Sequence, residues 1–115
     1  MMLNPRKYQF IGPYILPVAA PLSIQKIQST VADYYGLPHD EMISSRRGNR
    51  SVTRPRQIAM YLAHALTPRS YPDLGRRFRR DHTTIMHGVS QIDRLLREDS
   101  EIASDVEKLK KRLAA

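Results

Sequence analysis

Residues 71–87 read Tyr71-Pro72-Asp73-Leu74-Gly75-Arg76-Arg77-Phe78-Arg79-Arg80-Asp81-His82-Thr83-Thr84-Ile85-Met86-His87. Leu74 and Phe78 stand four apart, so Tyr71 to Phe78 is expected as a short helix, with a turn at Arg79 and Arg80. Asp81 then opens a longer helix through Arg97, with Ile85, Val89, Ile92 and Leu96 on one face. A short helix, a tight turn and a longer helix outline a helix-turn-helix, whose second helix enters the DNA major groove by its N-terminal end. That end is Asp81-His82-Thr83-Thr84. At about 100° per residue these four cannot all face a core, so some point outward. Their chemistry suits base edges: Asp accepts from cytosine N4, His donates or accepts, and a Thr methyl packs on the thymine methyl. Asp81 is also expected to cap the helix by taking the Thr84 N–H, contributing about 1 kcal/mol.

Upstream, Ser23 is placed to cap a helix over 24–35, whose apolar positions Ile24, Ile27, Val31 and Tyr34 end at Gly36 with Pro38 just beyond. Residues 39–44 suit one helical turn, and Ser45 to Val52 reads as a basic loop. Thr53-Arg54-Pro55 reads as a helix start, since proline lacks only an N–H that the first turn leaves unpaired. Ile58, Tyr61, Leu62 and Ala65 mark that helix's face, and Pro68 ends it. A last helix, about Ser100 to Leu113, carries Ile102, Val106, Leu109 and Leu113. Residues 1–22 hold Pro5, Pro13, Pro17 and Pro21 and are expected as an extended arm, with Tyr8, Phe10 and Tyr14 available to anchor it. No alternating strand pattern of useful length occurs, so the fold class is all-α, a bundle of about five to six helices.

The net charge of +8 is unevenly spread. Residues 1–43 sum to zero and 81–115 to −1, whereas 44–80 hold ten arginines against Asp73 alone, giving +9. A pI near 10.2 exceeds the value of about 9 that marks nucleic-acid binders. Arginine's planar fork of donors suits phosphate and guanine. The 115 residues are one domain's worth. With no cysteine, disulfides, thiolate metal sites and a cysteine nucleophile are excluded. The chain lacks a secretory signal pattern and an apolar run of about 18 residues, and it is read as a soluble cytoplasmic protein.

Arg80-Asp81-His82-Thr83-Thr84-Ile85-Met86-His87, with Arg54-Pro55-Arg56-Gln57-Ile58-Ala59-Met60-Tyr61-Leu62 upstream, closely resembles the C-terminal DNA-binding domain of the bacterial chromosomal replication initiator DnaA. The resemblance covers about Ser23 to Leu113. It implies an arm over 1–22 and a helix-turn-helix DNA-binding domain over 23–115. It further implies recognition of double-stranded DNA at DnaA-box-like sites by a monomer, in control of replication initiation. Asp81, His82, Thr83 and Thr84 match the family's major-groove readers, and Arg47 matches its minor-groove arginine. Arg56 and Gln57 match positions that touch base edges and backbone beside the same groove. Arg46, Arg50, Arg54, Arg76 and Arg77 are assigned to phosphate. Two departures bear on how the second helix sits: Phe78-Arg79-Arg80-Asp81 is one residue shorter than the family's turn and lacks its glycine pair, and the loop at Gly48-Asn49 is one residue longer. The family's ATPase domain has no counterpart here, since no Gly-x-x-x-x-Gly-Lys-Ser/Thr phosphate loop occurs, so neither a nucleotide nor another cofactor is expected.

An enzyme is the first competing reading. His82 and His87 lie five apart, roughly 140° around a helix, unlike a four-residue zinc-binding pair, so no catalytic or metal site is expected. His87 is expected on the packed side of its helix, His64 at a surface or boundary, and Tyr34-Tyr35 in core and capping roles. The acids of the last segment, 81–115, interleave with bases at helical spacing, as on a solvated face. A protein-interaction module that has lost DNA reading is the second alternative. Ten arginines beside an intact Asp-His-Thr-Thr stretch argue against it. Within DNA binding, a competitor at the initiator's sites, a transcriptional regulator and a phage or plasmid factor would all share this reader.

Overall fold

The computed structural model describes residues 8–17, 22–44, 48 and 50–114. Helix α1 runs Ile24–Tyr35, α2 Asp40–Ile43, α3 Arg50–Leu66, α4 Tyr71–Phe78, α5 His82–Glu98 and α6 Ser100–Ala114. Local signals set most of these bounds. The Ser23 hydroxyl accepts the Lys26 N–H at 3.0 Å. At the other end of α1, Gly36 adopts φ 68°, and the N–H groups of Gly36 and Leu37 close onto Asp33 and Ala32. Those two bonds form a Schellman cap, which needs a left-handed residue and favours glycine.

α3 begins earlier than Thr53. Arg50 to Arg54 continue the helix upstream of Pro55, whose fixed φ is itself helical and whose missing N–H forfeits one bond. The Thr53 hydroxyl donates to the Gly48 carbonyl and holds this added turn. α3 is also buried more widely than one stripe: Ile58, Ala59, Met60, Leu62, Ala63 and Leu66 are all inside, while Ala65 is exposed. The cause is its place, packed by α1, α2, α4 and α5. Leu74 and Phe78 of α4, Ile85 and Ile92 of α5 and Met42 of α2 complete that core with no exposure. Met60 and Gln57 meet α5 at Gly88, where a Cβ would lie 2.9 Å from the Met60 sulfur.

α6 closes the bundle through Ile102, Val106, Leu109 and Leu113. Asp105 departs from the solvated face expected of its segment. Its half-buried carboxylate accepts the Tyr34 hydroxyl at 2.7 Å and the Tyr35 hydroxyl at 2.8 Å, tying α6 to α1. The hydrogen bond to Asp105 holds the Tyr34 hydroxyl above the ordinary tyrosine range, and burial, followed by its own bond to Asp105, pushes Tyr35 well above it. Most other charges of this segment do lie on a wet surface, as in the pairs Arg94–Glu98 and Arg97–Asp93.

The arm region differs from a simple extended segment. β1 (Tyr8–Ile11) and β2 (Tyr14–Pro17) pair antiparallel, with Ile11 opposite Tyr14 across the two-residue loop Gly12-Pro13. Gly12 at φ 57° takes the first loop position of a hairpin turn that favours glycine there. Pro13 fits the next, and both strands are edges, which tolerate Pro17. A Cβ on Gly12 would lie 3.8 Å from the Lys110 side chain, so the turn rests against α6. The anchoring expected of Tyr8, Phe10 and Tyr14 lies outside the described side chains. No helix among the described residues is long and apolar enough to cross a membrane.

Candidate nucleic-acid interface

Gly75 sets how closely α4 can approach α5. A Cβ there would stand 2.6 Å from the Arg80 carbonyl oxygen and 3.3 Å from the His82 nitrogen, so only glycine lets α4 approach the turn this closely. Arg79 turns the chain at φ 55° and ψ 46°. Its N–H bonds the Arg76 carbonyl and that of Arg80 bonds Gly75, a second Schellman cap with arginine where glycine is usual. Arg80 then braces the turn internally, its guanidinium donating to the Phe78 carbonyl at 2.9 Å and to the Ser44 carbonyl beyond α2. Burial and the neighbouring Arg56 charge both lower its affinity for the proton.

Asp81 caps α5, but through a different amide from the one expected. Its Oδ1 accepts the Thr83 N–H and the Thr83 hydroxyl, both at 2.9 Å, while the Thr84 N–H goes to the Asp81 backbone carbonyl. These bonds, led by the Thr83 N–H, and the adjacent His82 ring hold the Asp81 carboxyl below the usual carboxylate range. It therefore presents as an ionised acceptor whose Oδ2 has no partner among the described residues. His82 Nδ1 lies 3.2 Å from Oδ1. Asp81, His82, Thr83 and Thr84 are all exposed at the start of α5, and Ile85 behind them is fully buried. Four polar side chains thus share one outward edge. His87 is exposed too, contrary to expectation, because Ile85 and Gly88 are the residues that turn inward at this level of α5. Among the described residues no cluster of three His, Asp or Glu could hold a metal ion.

The arginines divide into two groups. Arg56, expected at base edges, is instead buried at 4% exposure, with Nε donating to the Glu41 carbonyl and an amino nitrogen 3.1 Å from the Glu41 carboxylate. It fastens α3 to α2. Gln57 is half-buried, packs against Gly88 and accepts from Arg54 at 2.7 Å. The second group lies outside: Arg50 at the start of α3, Arg79 in the turn, and Arg69, Arg76 and Arg77 around Asp73. The Asp73 carboxylate lies 3.1, 3.3 and 3.8 Å from those three. Its partial burial would raise the carboxyl, but the Arg69 hydrogen bond and charge, followed by Arg77 and Arg76, outweigh this and hold it low. Arg46 and Arg47 lie outside the described residues.

His64 sits where α3 meets α4. Its ring stacks on Tyr71 with centroids 4.5 Å apart, and Nε2 lies 3.1 Å from the Tyr71 hydroxyl. Burial pushes its proton affinity below the ordinary imidazole range. Sequence reading had no signal for this brace or for the one at Arg80, because both pair residues only after the turns have formed.

Residues 24–92 match the family described as the bacterial dnaA protein helix-turn-helix. Relatives named chromosomal replication initiator protein DnaA include one from Cereibacter sphaeroides, 50% identical over 95 residues, covering 82% of this chain and 21% of the relative. Those from Caulobacter vibrioides and Rhizobium meliloti are 46% and 47% identical, covering 90% and 76% of this chain and 21% and 18% of their own lengths. The chain thus spans about a fifth of the length of the curated relatives it matches. A family match across most of the helical body, on a chain whose α4 and α5 form the helix-turn-helix, shows that this protein belongs to the bacterial DnaA helix-turn-helix family.

Proposed function

We propose that this protein binds double-stranded DNA sequence-specifically at DnaA-box-like sites in the control of replication initiation, through residues 23–115 acting as a monomer without a catalytic step. The observation that carries this reading is the outward edge of Asp81, His82, Thr83 and Thr84 at the start of α5, beside the exposed arginines. In a helix-turn-helix that edge faces the major groove. Asp81 Oδ2 is free to accept from cytosine N4, His82 from or to a base edge, and the Thr83 and Thr84 methyls meet thymine. Gln57, beside Gly88, stands next to the same groove.

Arg50, Arg54, Arg76 and Arg77 contact phosphate and fix the register without reading sequence. Arg46 and Arg47, which lie outside the described residues, join them in this reading, Arg47 in the minor groove. The family match and the DnaA relatives support a role on DNA rather than a protein-only interaction module. The test is a titration of the chain against a DnaA-box duplex and a scrambled duplex at two salt concentrations. Tighter binding to the box, with affinity for both falling as salt rises, is expected. Equal affinity for both duplexes overturns the specific reading.

A further inference from the structure

Arg79 holds a conformation that a side chain disfavours, and beyond the backbone bonds of the cap its own side chain gains no contact within the described fold that would offset it. It is the single non-glycine residue at positive φ among the described residues. An L-residue with a Cβ is strained there, and glycine or asparagine is the ordinary choice at this cap position. Its guanidinium is exposed and makes no hydrogen bond or ion pair with any described residue, unlike Arg80 beside it. Neither of the acids closest to it in sequence pairs with it: Asp73 is held among Arg69, Arg76 and Arg77, and Asp81 turns Oδ1 to Thr83 and His82 and makes no ion pair with Arg79. Arg79 also helps line a shallow concavity with Gly75, Arg76, Arg80 and His82, at the lip from which the α5 edge projects.

We infer that the Arg79 guanidinium contacts a backbone phosphate of the bound duplex, where α4 crosses the strand bordering the major groove. Strain retained at an exposed position is a common mark of a ligand contact. The turn of a helix-turn-helix lies between the helix that crosses the backbone and the helix that enters the groove, which sets Arg79 toward phosphate rather than base edges. This inference rests on the DNA-binding reading above and adds a contact made by a residue that replaces turn glycine.

The experiment compares the full chain with Arg79→Gly, Arg79→Asn and Arg79→Lys, by thermal melting without DNA and by titration against box and scrambled duplexes across a salt series. Arg79→Gly is expected to melt a few degrees higher, since a stability gain on the order of 1 kcal/mol moves Tm by several degrees in a domain of roughly 100 residues. It should bind both duplexes about five- to tenfold more weakly, and its plot of log affinity against log salt should be shallower by about 0.9. Arg79→Asn, which tolerates the left-handed turn, should lose affinity equally, and Arg79→Lys should recover part of it. Wild-type affinity and salt slope in the Gly and Asn variants would overturn the inference. So would a loss confined to the box duplex, which marks a base contact, or a loss in Gly alone, which marks turn flexibility. A wild-type chain that binds neither duplex overturns the DNA-binding reading itself, and shows this before any variant is compared.

Discussion

Arg56 and Arg80 show that arginines in one basic segment are not equivalent. Arg56 is sealed between α3 and α2 against Glu41, whose own side chain remains 40% exposed. Removing the arginine therefore strands little charge but loses a packed stem and its hydrogen bonds. Arg56→Ala is expected to destabilise the fold by about 1–3 kcal/mol in denaturant melts. The variant should still prefer a box over a scrambled duplex at temperatures where it is folded. Arg50, exposed at the start of α3, has the opposite character: its loss should leave the melting curve unchanged.

At the scale of elements, the brace between α3 and α4 carries a pH signature. Burial depresses the folded-state pKa of His64 below the ordinary value of 6.5, so folding favours the neutral ring. The stability that follows is fully present above that value and is lost as pH falls through the folded-state pKa. Between about pH 7.5 and about pH 5.5 the melting temperature should fall, and His64→Gln should flatten that fall. Helix positions were largely legible in the sequence because caps and periods are local: Ser23, Gly36 and Asp81 each bound a helix where the spacing placed them. Three features were not legible. Pro55 marked a helix start because a proline's cost is local, but the added turn from Arg50 fits its fixed φ and is held by Thr53. The hairpin at Tyr8–Pro17 was hidden by prolines that a two-residue loop and edge strands can accept. Asp105 looked solvated because its partners lie some 70 residues away at Tyr34 and Tyr35.

Over the whole molecule, the charge of +9 within residues 44–80 resolves into parts. Arg56 and Arg80 are spent on holding α2, α3 and the turn together, and Asp73 gathers three more into a fixed surface group. Of the exposed arginines, Arg76 and Arg79 line one concavity with Asp81 and His82, so on the proposed reading attraction to a polyanion and the reading of its bases share one face. Phosphate contacts should then set the salt dependence, and the start of α5 should set the preference between sequences. The direct test is the affinity of the double variant His82→Ala/Thr83→Ala on box and scrambled duplexes across a salt series. Its box affinity is expected to fall by about 1–3 kcal/mol or more toward the scrambled value, with the salt slope and the scrambled affinity unchanged. A variant that keeps the wild-type preference for the box, or that loses affinity equally on both duplexes, would contradict a reader at the start of α5.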